Sequence, residues 1–98
     1  SPALRLLIAS ELCADYCASG LWAQAARYAK EAREIRRRIP YSGFARGREV
    51  GALLRGGDLD AAAEELAALR AESVANPAHR RLPIFIRQAE TDWASFAA

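Results

Sequence analysis

Gly20 and Gly57 stand 37 residues apart, and their surroundings repeat at the same interval. Ala25 and Ala62 follow each glycine by five positions, and Pro40 and Pro77 follow by twenty. A fixed period between about 20 and 50 residues is the signature of stacked supersecondary units, each burying a face against the next. In both blocks apolar residues recur at helical steps before the glycine, resume at helical steps after it, and end at the proline. Each block therefore reads as helix, left-handed glycine turn, helix, proline stop. No stretch alternates with period two, so no sheet is expected. The fold class is all-α: stacked antiparallel helical hairpins, about five helices in one domain spanning 1–98.

The first hairpin is expected over 2–39. Ser1 caps a helix with Pro2 at its first position, and Leu6, Ala9, Leu12 or Cys13, Tyr16 and Cys17 form its apolar stripe. Its second helix buries Trp22, Ala25, Ala29, Ala32 and Ile39, with Lys30–Glu34 and Glu34–Arg38 pairs facing solvent. The second hairpin spans 43–75. Ser42 caps a helix over Gly43–Arg55 that buries Phe44, Val50, Leu53 and Leu54. Asp58 then caps a helix over Leu59–Val74 with Leu59, Ala62, Leu66 and Leu69 inside. A last helix over 77–97 closes the array. Asn76 caps it, Leu82, Phe85 or Ile86, Ala89, Trp93 and Phe96 face the core, and Pro83 kinks it or resets its start.

Composition excludes several classes. Hydrophobic residues make up 52% of the 98 and charged residues 27%, a globular balance and not a disordered one. The net charge of +2 is too small to argue for a nucleic-acid partner by itself. No apolar run reaches the roughly 18 residues a membrane helix needs, so no membrane partner is expected and a cytoplasmic setting is the default.

At these residues the chain resembles a tetratricopeptide repeat. That family's pattern is met in the first block by Leu12, Cys13, Tyr16, Gly20, Ala25, Ala29 and Ala32, with Pro40 displaced later. Val50, Leu53, Gly57, Ala62, Leu66, Leu69 and Pro77 meet it in the second. The resemblance covers roughly residues 5 to 77, and the period exceeds the family's usual 34. The Ala- and Arg-rich style is also similar to helical repeats attached to large bacterial transcriptional activators and signalling ATPases. The resemblance implies a partner-binding inner face built from the first helix of each hairpin: Leu7, Ser10, Ala14 and Cys17, then Phe44, Gly47, Gly51, Leu54 and Arg55. Members that clamp a terminal carboxylate use Lys, Arg and Asn there, and this chain has almost none. An apolar groove of that kind suits an amphipathic helix, its own or an acidic partner's.

Residues that could carry chemistry are few. Cys13 and Cys17 share a helical face but lack the second ligand pair of a zinc site. His79 is flanked by Arg80 and Arg81 with no nucleophile in view, and Asp58, Asp60, Glu64 and Glu65 suit a helix N-terminus. No catalytic, metal or cofactor residue is assigned. Arg33, Arg36, Arg37, Arg46 and Arg48 concentrate at one end of the first hairpin, where they steer an acidic partner. The expected function is a non-catalytic protein-interaction or oligomerisation module within a larger regulatory protein. The alternative is a basic helical module binding nucleic acid or phosphate through that arginine edge.

Overall fold

In the computed structural model, which describes residues 1–39 and 46–98, both glycines of the period sit in the same turn. Gly20 has φ +72° and Gly57 φ +91°, the left-handed region that a side chain makes costly. At the first turn the amides of Gly20 and Leu21 donate to the carbonyls of Cys17 and Tyr16. At the second, those of Gly57 and Asp58 donate to Leu54 and Leu53. These are two copies of one Schellman cap, so the period seen in the letters is a period in backbone hydrogen bonding.

Among the described residues the chain forms α1 (Pro2–Ala18), α2 (Trp22–Arg36), α3 (Gly47–Arg55), α4 (Leu59–Ala75) and α5 (Leu82–Ala97), with no strand. The Ser1 hydroxyl accepts from the Leu4 amide and the Asp58 carboxylate from the Ala61 amide, so α1 and α4 start where their capping residues stand. Expected features at Pro40, Ser42, Gly43 and Phe44 lie outside the described residues.

Short α3 packs against each of the other four helices, while α1 also meets α2 and α5 also meets α4. The larger core gathers on α3: Val50, Leu53 and Leu54 meet Ala25 and Ala29 of α2, Ala62, Leu66 and Leu69 of α4, and Leu82, Phe85 and Ala89 of α5. A second cluster, Leu6 and Ala9 with Ala32 and Ile35, joins α1 to α2. Positions one period apart are equivalent inside: Cys13 and Val50, Ala25 and Ala62, Ala29 and Leu66, and Ala32 and Leu69 are all buried.

Four details depart from expectation. The last helix starts at Leu82, not 77. Of the two effects expected of Pro83 it is the reset start that is seen, because proline has no amide to give and is tolerated only in a first turn. Asn76 ends α4, its amide and side chain both donating to the Glu72 carbonyl, where a cap for the following helix was expected. Leu59 and Phe96, expected inside, are 51% and 40% exposed, since each lies at a helix end beyond its neighbours' reach. Lys30 reaches across to the Asp58 carboxylate at 2.7 Å, where Glu34 had been its expected partner.

Gly56, just past the end of α3, sits close against α2. A Cβ there would strike the Ala26 Cβ and lie 2.9 Å from the Ala52 carbonyl oxygen and 3.1 Å from that of Trp22. A Cβ on Gly57 would meet nothing within 4 Å, leaving only the conformational cost. Urea unfolding should therefore separate the two. Gly57→Ala is expected to cost about 1–2 kcal/mol, most of it recovered in Gly57→Asn. Gly56→Ala is expected to cost about 1–3 kcal/mol by overpacking, with Gly56→Asn worse still.

Candidate functional site

Three of the five arginines expected at a basic edge turn inward onto glutamates, in one linked set and one separate pair. Arg33 donates through Nε to Glu65 Oε2 at 2.7 Å and through Nη2 to the exposed Glu64 at 3.3 Å. Arg36 sets its Nη1 between both oxygens of Glu49, at 2.8 and 2.7 Å. Arg46, at the start of α3, donates to Glu72 at 2.6 Å and to Glu65 Oε1 at 3.0 Å. Glu65 thus takes one arginine on each oxygen. These bonds fasten α2 to α3 and both to α4. The solvated edge expected for Arg33, Arg36 and Arg46 is replaced by these pairs, because packing brings Glu49 of α3 against Arg36 and Glu65 and Glu72 of α4 against Arg33 and Arg46. Arg37 remains exposed and pairs with Glu34 at 3.2 Å, and Arg48 is exposed on α3.

Burial governs the electrostatics. Glu49 is enclosed, and loss of solvent pushes its pKa up to about 7 against the opposing pull of Arg36. Burial alone would lower the pKa of Arg46, but hydrogen bonds to Glu72 and Glu65 outweigh it and the guanidinium is held charged. On α4, the Lys30 ammonium and then the Ala61 amide hold the Asp58 carboxyl below its usual range.

A cleft of about 480 Å³ lies over the network, lined by Arg33, Arg36, Arg37, Arg46, Glu65 and Glu72, with Ile39, Asn76 and His79 on its margins. Arg36 Nε and Nη2 and Arg46 Nε, on two of the lining residues, are buried without an acceptor among the described residues.

The expected inner face is only partly a surface. Leu7, Ala14 and Cys17 are half-buried and Arg55 is exposed, its guanidinium 5.1 Å over the Trp22 ring. Ser10 and Leu54 are buried, and Phe44 lies outside the described residues. The space left by Gly47 and Gly51 is filled from α5. A Cβ on Gly47 would strike the Gln88 side chain, and one on Gly51 would lie 2.6 Å from Asp92 Oδ2. The helix-accepting groove expected along α3 is therefore already occupied by α5.

On that face the two thiols differ in acidity. The hydrogen bond between them raises Cys13, helped by burial, and lowers Cys17, helped by the positive charges of Arg48 and Arg55. Burial and Asp92 oppose the lowering at Cys17. Cys17 is thus the better nucleophile of the pair. No group of three or more His, Cys, Asp or Glu side chains among the described residues is placed to hold a metal. Nor is any described helix long and apolar enough to cross a membrane.

An unanticipated groove of about 460 Å³ runs between α4 and α5 over Ala63, Leu66, Ala67, Trp93 and Ala94. Arg70 and Glu90 bridge its rim at 2.8 Å. Its sequence signal was the pair Ala63 and Ala67, four apart on α4, with Trp93 left half-buried opposite.

A comparison with protein-family models, with curated proteins and with solved structures finds no match to this chain.

Glu49 yields a signed pH dependence. Its folded pKa of about 7 lies above the ordinary 4.5, so the folded state holds a proton that the unfolded state releases. Stability should be fullest below the lower value and fall by about 3 kcal/mol as pH rises through the upper one. Urea midpoints measured across that window should show this slope, and Glu49→Gln should flatten it.

Proposed function

We propose that this chain is a non-catalytic helical-repeat module of tetratricopeptide type that docks a protein helix in the groove between α4 and α5. The observation that carries the reading is the groove itself. Three alanines lower one wall and the floor so that a helix backbone can come close, while Leu66 and the half-buried Trp93 offer large apolar contact. The repeat type is supported by the two matching glycine caps, one period apart.

Arg70 and Glu90 place one charge of each sign on the rim. A two-fold pair of grooves could exchange these partners, which makes a second copy of the chain the first occupant to test. The burial of Arg33, Arg36 and Arg46 favours a protein partner over a polynucleotide, whose backbone needs exposed cations along its path.

Light scattering over a concentration series tests the reading. The wild-type mass should climb from monomer toward dimer, with Trp93 becoming less accessible to acrylamide. Ala67→Glu, a charge on an exposed position of the groove, should hold the chain monomeric without loss of helix. A wild-type chain that stays monomeric throughout, with Trp93 quenched equally at every concentration, would overturn docking between copies.

A further inference from the structure

The cleft over the ion network has donors in excess of acceptors. Arg36 uses only Nη1 on Glu49. Its Nε and Nη2, on the other edge of the guanidinium, have no acceptor among the described residues, and neither has Arg46 Nε. Both side chains are more than nine-tenths buried, at 8% and 5% exposed. The Nε–H and Nη2–H bonds of a guanidinium run parallel and form the fork that grips two oxygens of one oxyanion. Buried donors in native proteins are almost always satisfied, and a charged one left bare carries its full desolvation cost. Three donor nitrogens, on two guanidiniums that line one cleft and without an acceptor among the described residues, therefore call for one.

The protein's own carboxylates do not supply it. Both Glu65 oxygens and Glu72 Oε2 are already bonded to Arg33 and Arg46. The lining carries four arginines against two glutamates, while Glu49, Glu64 and Glu34 hold Arg36, Arg33 and Arg37 by other edges and leave the three bare nitrogens unmet. Three donors match the three free oxygens of a phosphate ester better than the two of a carboxylate. The cleft, at about 480 Å³, has the size of a small-molecule site and not of a bare ion. The depth of Arg36 and Arg46 excludes a polynucleotide, whose phosphates stay on the outer surface of a large polymer.

We propose that this cleft binds the phosphate group of a small molecule, held by the Nε–Nη2 edge of Arg36 and by Arg46 Nε, with exposed Arg37 at its mouth. The site lies on the opposite flank of α4 from the α4–α5 groove and stands independently of the docking reading.

Inorganic phosphate is the probe. The folded chain is titrated with phosphate, with acetate and with chloride at matched ionic strength, following arginine Nε–H resonances and the melting temperature. Phosphate should move the Arg36 and Arg46 Nε signals saturably and raise Tm with concentration, while acetate acts more weakly and chloride not at all. Arg36→Lys keeps the charge opposite Glu49 but has no fork, and should weaken phosphate binding by roughly tenfold or more. Ala67→Glu should bind phosphate as wild type does. A Tm that responds equally to phosphate and chloride, or acetate binding as tightly as phosphate, would overturn the proposal. So would an Arg36→Lys chain that binds undiminished. Should that variant fail to fold, the wild-type Nε shifts and the three-anion comparison still decide.

Discussion

The fold depends on charges being buried in register between α2, α3 and α4. Alanine dominates the inner face of α2, where Ala25, Ala29 and Ala32 bury little area and Ile35 is the one large apolar side chain buried. Apolar contact along that helix is therefore thin. Arg33 and Arg36 supply what the alanines do not. Their long stems cover apolar surface and their heads meet Glu65 and Glu49 at bonding distance. Taking such ions out of water costs nearly as much as their attraction returns, so the net stabilisation is small. The cost of misplacing one partner is not small, about 3–5 kcal/mol for a buried charge left alone. A slip of one residue between α2 and α4 would unpair Glu65 from Arg33, and one between α3 and α4 would unpair it from Arg46. The network acts chiefly as a register lock on a core too smooth to set its own register.

The second constraint is the closeness of α3. A nine-residue helix that touches four others can do so only where side chains are missing. Gly47 and Gly51 admit Gln88 and Asp92 of α5, and Gly56 admits Ala26 of α2. The glycines lower the intrinsic helix propensity of α3 by about 1 kcal/mol each. Packing on every side offsets this, and α3 holds because it is surrounded.

The hairpin architecture was legible because it rests on local rules. Gly20 and Gly57 announce turns that only glycine makes cheaply, and the steps of Ala25, Ala29 and Ala32 announce a buried face. Ser1 and Asp58 announce helix starts. The candidate site was less legible, because it rests on pairings across 13 to 32 residues. Nothing in Arg33 or Arg36 distinguishes a side chain bound for Glu65 or Glu49 from one that ends in solvent. The interleaved glutamates looked like surface neutralisation and are the inner half of the pairs. The inner face failed for a related reason. Gly47 and Gly51 read as open space along α3, and α5, joined through turns whose direction no local rule sets, lies in that space.

Drawing the arginines inside gives helix α4 two unlike flanks. Ala63, Leu66, Ala67 and Arg70 fall on one flank of a helix turning about 100° per residue, and Glu65, Ala68, Glu72 and Asn76 fall on the other. Ala62 and Leu69 lie between them and enter the core. One flank faces a mainly apolar groove bounded by Trp93, and the other faces a polar cleft bounded by guanidiniums. Had Glu65 and Glu72 been solvated, their flank would be an ordinary charged surface and the arginines above it an ordinary basic edge. Because Arg33 and Arg46 instead close onto α4, the cation charge is concentrated at depth, where low dielectric strengthens each remaining donor toward one small anion. The same closure leaves the apolar flank as the broad exposed contact surface of α4. The two flanks share a backbone and no side chain, so a charge placed at Ala67 and a fork removed at Arg36 address separate properties of one helix.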